Sequence, residues 1–592
     1  MPTASNPFPY FPEAGNNGYI YIGAANQDAQ TNPVTAYRDA ALTVPWAQPI
    51  RTVDGYPAYQ GATEGIFTAS QAYSITVKDR NGNTFINETL ATDPVSVFAA
   101  SLAAPTGSSQ IGFLQSGTGA VPRTAQAKMR DVVSAADFGA SPSATAAANV
   151  TAFQAALDDG RPVFIPGGTY SLNAKLTSSG KAVSIITDGA AILQWVTGSA
   201  TQGLDFTFAN LTTHTLSIGD IELVTACEGG GTAIKATWPV GASGFNRLWQ
   251  LGKIRMRGSD IVGQVGYWDN GLDTTNGWLG FCDTLDFYGK GSGVTPLSTA
   301  AWASRGTSTD SRVHIRARYA KAMLLIAGFS EGLDVSGSFA VACDYAVDCS
   351  GTSGLNTPGF VWIGGHAACF KGGIRSVNIL QANVSDLLLY KRPDSAQNFI
   401  GFDLDSASTD WQVSNCKVFS LGNPGGGTTT ALKDAGVNNS TVNLRTVGCD
   451  TDVSIVSGAS GFSHTFSRSD NTRGAITQGD TDGQVVCLPG GSFGGTTSYF
   501  DTLTANSATP SILGHRKWGS CGHFLTANTL ATTITDFTGG FPGDEFVLQA
   551  NDANTTVQHN AGMQLNGGAN KVMVAAETIR LRRVTSTAWK QI

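Results

Sequence analysis

The chain has 592 residues, too many for one ordinary core, so several domains are expected. Lys and Arg number 37 against 44 Asp and Glu, a net charge of −7, and only 14% of residues are charged. An ordinary globular chain carries about 25%, and this deficit argues against coiled coils, long solvated helices and a nucleic-acid platform.

Glycine contributes 71 residues while strong helix formers are scarce, so the chain reads as β-rich with many turns. No apolar run approaches the roughly 20 residues that cross a bilayer. Residues 1–11 are polar and proline-containing, without the basic and apolar regions of a secretory signal. Folding in a cytoplasm, without membrane insertion, is therefore the expectation. The nine cysteines form no Cys-x-x-Cys pair, and His366 with Cys369, or Cys521 with His523, lacks a second pair to complete four ligands. Buried free thiols are expected, with no metal and no cofactor.

In chain order, residues 1–100 read as a small antiparallel unit, with alternation over 19–23 and 73–78 and an Asn81-Gly82 signal for a type I′ hairpin. Residues 102–121 are rich in Gly, Ser and Ala and read as a linker. A short helix is predicted over 125–133. A second helix places Val150, Phe153, Ala156 and Leu157 on one face and stops at Asp158-Asp159-Gly160, before a strand closed by a Pro-Gly turn.

Beyond residue 215 short alternating segments recur at Ile221, Ile254, Leu285, Ile315, Val335, Val384, Val413 and Val442, in steps of 33, 31, 30, 20, 49, 29 and 29, with 49 read as two coils. One coil of chain cannot bury its apolar face alone, whereas stacked coils share a core. A right-handed parallel β-helix is the predicted architecture, and a β-propeller is the alternative. From about residue 493 the pattern suits a compact antiparallel β-domain.

Three stretches together resemble the bacteriophage tailspikes. The segments Gly18-Tyr-Ile-Tyr-Ile-Gly23, Asn32-Pro33, Tyr37-Arg38-Asp39 and Gln48-Pro-Ile-Arg-Thr-Val-Asp-Gly-Tyr-Pro57 are similar to the virion-binding head domain of podophage tailspikes. Ile111-Gly-Phe-Leu-Gln-Ser-Gly-Thr-Gly-Ala-Val121, Arg123-Thr124, Met129-Arg-Asp131, Asp137-Phe-Gly-Ala140 and Ile165-Pro-Gly-Gly-Thr-Tyr170 resemble the neck and first coil of pectate-lyase-like tailspike β-helices. Thr532-Thr-Ile-Thr-Asp-Phe-Thr-Gly-Gly540 with Trp589 is similar to a C-terminal β-domain of several such spikes. The resemblance implies an all-β homotrimer located in the virion. Its head-binding unit spans 1–100, a linker and neck 101–135, a receptor-binding and catalytic β-helix 136–475, and a trimerisation or carbohydrate-binding domain 476–592. The partners it implies are the phage tail or baseplate and a bacterial surface polysaccharide, which the spike binds and cleaves. No subgroup's catalytic motif is recognised in residues 215–470.

Endo-cleavage of a glycosidic bond needs two carboxyl groups, one protonated and one ionised. If Leu285, Ile315 and Leu333 or Val335 face inwards, alternation places Asp286, Tyr288, Arg316, Arg318 and Asp334 on one outer stripe. Glu331, the only Glu between 229 and 544, stands three residues before Asp334. The expected catalytic pair is Glu331 and Asp334, with Asp286 as substitute. Arg316 and Arg318 are expected to hold sugar hydroxyls or a carboxylate, and Tyr288, Trp302 or Tyr319 to give a stacking platform. Asp403 and Asp405, near Trp411, form an alternative pair, although acids flanking a turn explain them as well. A lyase would draw on His314, Arg316, Arg318, Tyr319 and Lys321. No Gly-x-Ser-x-Gly elbow supports an esterase, and the glycine runs at 229–231 and 425–427 read as turns. Besides a depolymerase, a non-catalytic adhesin fibre and a free-standing secreted lyase are the competing functions.

Overall fold

The computed structural model describes residues 9–592 apart from positions 71, 93, 197–201, 242–246, 260–264, 350–356, 469–474, 479–482, 489–500, 513–521, 539–541 and 544. It divides into two units, Met1–Asp131 and Val132–Ile592. Among the described residues no helix is long and apolar enough to cross a membrane.

In the first unit, strand Tyr19–Ala24 turns Ile20 and Ile22 inwards, and Ala72–Lys78 buries Ser74 to Val77 in succession. They pair antiparallel at the centre of a six-stranded sheet whose core holds Ile20, Ile22, Ile50 and Val77. The hairpin at 79–83 differs from the type I′ turn expected, because only Gly82 is left-handed, at φ +85°. Asp79 accounts for this. Its carboxylate accepts the N–H groups of Asn81 and Asn83 and so stabilises a right-handed first half. Helix Pro94–Ala103 is apolar yet leaves Val97 51% and Phe98 57% exposed. Further along, Gly112–Phe113 pairs with Arg123–Thr124, and Thr124 caps the short helix Ala125–Met129.

The second unit opens with helix Ala146–Asp159, capped by Thr145 and ended by Gly160 in the left-handed region at φ +85°. The predicted face packs inwards, Phe153 meeting Tyr170 edge-on at 5.2 Å, and Asn149 donates to the carbonyl of Ser171 in the first coil. The helix thus covers an end that a coil stack would otherwise leave bare.

Strands from Val133–Ser134 to Gly483–Leu488 then form a 28-stranded parallel stack, the right-handed β-helix. Ile221, Ile254, Leu285 and Ile315 lie in direct register and are buried, as the spacing predicted. The step to Val335 changes column. Asp334 pairs with Arg312, which sets Val335 beside Val313 rather than Ile315. The long step does contain a further coil, whose Trp362 registers with Val384, and Val384 registers with Val413. Val442 lies one residue out of that column, which Thr441 occupies.

One corner of the coil recurs with left-handed backbone at Leu279, Asp310, Gly332, Gly359, Gln381, Asp410, Asn438 and Gly461, spaced 22 to 31 residues apart. From Leu279 to Asn438 each N–H reaches the next coil's carbonyl, as in Asp310 to Glu331 at 2.7 Å and Gly332 to Pro358 at 3.0 Å. Six of these eight are Gly, Asp or Asn, the residues that enter this region at least cost. Inside the coils Trp195, Trp238, Trp249, Trp268, Trp302, Trp362 and Trp411 are fully buried. Seven described cysteines are buried free thiols.

The tail departs from the antiparallel expectation. Asp501–Thr502, Gly522–Leu525 and Glu545–Gln549 pair in parallel, and only Thr578–Thr585 and Ala588–Gln591 add antiparallel strands to that sheet. Alternation reports a strand's buried face and says nothing of its direction. Phe546 is the hub of this core, with Phe524, Phe537 and Trp589 edge-on at 5.2, 4.9 and 5.0 Å.

Candidate functional site

Because Ile254, Leu285 and Ile315 point inwards, the residue after each points outwards. Register places Arg255, Asp286, Arg316, Phe339 and His366 in one outward column on successive coils. Tyr288, Arg318 and Val341 form the neighbouring column. Tyr319, left-handed at φ +55°, turns the chain at the end of this face. Its ring meets Tyr288 edge-on at 5.9 Å, and the Arg318 guanidinium lies 5.9 Å from the Tyr288 centroid. Phe339, 40% exposed, stands between His314 and His366, with centroids 6.5 and 6.4 Å away. Partial burial lowers the His366 pKa. Lys321 is exposed at the start of the following strand, Ala320–Ala327.

The carboxylates occupy a different margin. Asp334 pairs with Arg312, four residues along the strand from Arg316, or about 13 Å. Its Oδ1 accepts the Ser336 N–H at 2.8 Å and its Oδ2 faces Arg312 Nε at 3.5 Å. Glu331 is exposed on the far side of Gly332, in the short strand Ser330–Glu331 that pairs with Ser308–Thr309. The single stripe expected for Asp286 and Asp334 is therefore corrected, since they sit in separate columns with Glu331 around a corner. The left-handed turn at Gly332 and a bulge between Cys282 and Leu285 break the alternation that the expectation assumed.

A third acid joins them. Asp310, on the preceding coil, overhangs Gly332 so closely that a Cβ there would meet its Oδ1 at 2.5 Å. Asp310, Glu331 and Asp334 are thus gathered about one corner on neighbouring coils. Asp310 escaped the sequence reading because its Ser-Thr-Asp-Ser setting reads as an ordinary turn. The recurrence of Asp, Asn and Gly at one phase of the coil was the signal that could have marked it. Further along the same corner a shallow depression of about 440 Å³ is lined by Gln381, Ala382, Asn383, Asp410 and Gln412.

Two further expectations change. Trp302 offers no stacking face, being fully buried with its Nε1 donating to Thr274 Oγ1 at 3.0 Å, because strand Ser298–Arg305 turns it into the coil. Asp403 and Asp405 lie on another sheet and part company there. Asp403 pairs with Lys433 at 2.8 Å, while Asp405 Oδ1 accepts from Asn378 N and Ser408 Oγ and so staples a turn. Trp411, expected near them, is buried.

No family model matches the chain, and no curated protein matches it. Among solved structures it is similar to tailspike protein 3 of bacteriophage CBA120, at 13% identity over 72% of each chain with a TM-score of 0.40. It is also similar to the tailspike of E. coli bacteriophage HK620 in complex with a pentasaccharide, at 12% identity over 78% of this chain and 86% of that one, with a TM-score of 0.41. A third likeness, to Geobacillus virus E2 ORF18, has 14% identity, covers 71% and 68%, and has a TM-score of 0.34. The fold rests on the strand registers rather than on these likenesses.

Proposed function

We propose that the chain is a virion-borne tailspike depolymerase, in which the β-helix binds and endo-cleaves a bacterial surface polysaccharide and the unit at 1–100 attaches to the phage tail. The observation that carries this reading is the outward face itself. Asp310, Glu331 and Asp334 gather about Gly332 with Asp334 facing Arg312, and the strand that begins at Arg312 carries Arg316 and Arg318, with Tyr288 on the preceding coil and Tyr319 at its end. Acids to act on a glycosidic bond, cations and hydrogen-bond donors for sugar substituents, and aromatic faces for pyranose rings are what such a reaction requires. The neck and head-domain resemblances support the attachment role.

Asp334, whose carboxylate accepts the Ser336 N–H and faces the Arg312 guanidinium, takes the part of base or nucleophile. Glu331, exposed at the same corner and without a side-chain hydrogen bond among the described residues, is left free to reach a bound sugar and takes the part of proton donor to the leaving oxygen. Asp310 is the nearest replacement for either, ahead of Asp286.

The test incubates the purified full-length protein with polysaccharide from a bacterium on which the phage plates, then follows chain length by size exclusion and unsaturated ends by ultraviolet absorbance. Shorter chains without new absorbance are expected. Glu331→Gln should slow their appearance by about 100-fold or more while leaving binding intact, the size of effect expected of a general acid. Shorter chains with new absorbance would transfer the chemistry to the lyase reading through His314, Tyr319 or Lys321. Bound chains of unchanged length would leave an adhesin.

A further inference from the structure

We infer that the glycan taken by this face is anionic, bearing carboxylate or phosphate groups that Arg316 and Arg318 hold; the inference rests on the polysaccharide reading above. The cations beside this face on the preceding coils and along its strand are answered locally. Arg257 pairs with Glu222, Arg312 with Asp334, and Arg255 is shared between Glu222 and Asp286 at 3.9 Å each. Among the described residues Arg316 and Arg318 have no carboxylate at ion-pair distance. Asp286, beside Arg316 in the column, leans to Arg255 instead. Four guanidiniums, those of Arg255, Arg257, Arg316 and Arg318, thus face two carboxylates, Glu222 and Asp286. This excess of two positive charges sits on a chain whose net charge is −7.

Both free guanidiniums are exposed, and they stand two residues apart on one strand, about 7 Å. Each is fork-shaped, matched to a carboxylate or phosphate, and bears on an aromatic neighbour. Arg318 lies beside Tyr288, and Arg316 is next to Phe339 in register. The acids about Gly332 do not cancel this field. They are about 13 Å away along the strand, beyond the screening length of about 8 Å at physiological salt. The same face therefore presents a cationic margin to a sugar substituent and an acidic margin to a glycosidic bond.

The experiment screens the full-length protein against purified bacterial polysaccharides, half neutral and half acidic. The acidic ones are offered native, carboxyl-reduced, and dephosphorylated with hydrogen fluoride. Binding is expected to acidic members only, to fall at least tenfold between 50 and 500 mM NaCl, and to disappear with one of the two treatments, which identifies the anionic group. Arg316→Gln and Arg318→Gln should each weaken it about tenfold, whereas Lys175→Gln, a charge loss elsewhere on the coils, should not. Binding or cleavage of a neutral polymer, unchanged in both arginine variants, would overturn the inference and leave the depolymerase reading standing. Failure to bind any member would sink both.

Discussion

At the residue scale the most constrained polar contact lies in the coil interior rather than on the working face. His464 Nε2 and Asp434 Oδ2 meet at 2.9 Å with neither side chain exposed. Burial alone would raise the Asp434 pKa. The His464 ring, the Asn439 amide and the Gly436 N–H outweigh it and hold the pKa below its ordinary value. A carboxyl depressed on folding contributes stability that is complete above its unfolded pKa of about 3.9 and lost as pH falls through the lower folded value. Unfolding in denaturant should therefore be insensitive to this group at neutral pH and accelerate below about pH 4. Asp434→Asn should remove that part of the acid sensitivity and cost about 3 kcal/mol at pH 7, because His464 stays buried without its partner. Acid denaturation profiles of the two proteins check both statements, and parallel profiles would refute the linkage. The carboxylates of Asp310, Glu331 and Asp334 are a contrasting case, open to water and arranged around Gly332, where any side chain at φ +63° would crowd the Asp310 carboxylate.

At the scale of elements, the left-handed corner sets the register of the coils. Asn438, at φ +57°, is the case to test, because its exposed side chain can be exchanged without disturbing the core. Asn438→Gly should leave the unfolding rate within a few-fold. Asn438→Val should cost about 1–2 kcal/mol, the penalty of a branched side chain in this region, and speed unfolding accordingly. Equal rates for the two variants would remove the corner from the list of stabilising features. The capping helix and the inward columns were legible in sequence because both rest on apolar periodicity: Phe153, Ala156 and Leu157 fall on one helical face, and Ile254, Leu285 and Ile315 lie on one strand face. What was not legible depends on backbone sign and direction. A left-handed Gly332 separates Glu331 from Asp334, an inward turn hides Trp302, and parallel pairing of Gly522–Leu525 with Glu545–Gln549 looks the same as antiparallel pairing when only alternation is visible.

At the scale of the whole molecule, self-association is the expectation that bears most on stability. Helix Pro94–Ala103 has apolar residues around its circumference, and Val97, Phe98 and Leu102 stay exposed in the single chain. A helix of that character is ordinarily buried, and further copies of the same helix would cover it. Sedimentation equilibrium should give three times the 61.5 kDa chain mass. The oligomer should survive SDS at 50 °C, where many mesophilic domains are near their midpoint. With 28 strands stacked coil upon coil, few edges are left from which unfolding can begin, so persistence is a matter of rate. Dissociation in SDS below that temperature, or Val97→Asp and Phe98→Asp leaving the mass unchanged, would contradict this. The tryptophans have a practical consequence of their own. Eight of the 11 indoles, Trp589 among them, are sealed from water. Their emission should stay blue whether or not a glycan occupies the outer wall. A red shift from these eight then times the uncoiling of the stack rather than the capture of ligand.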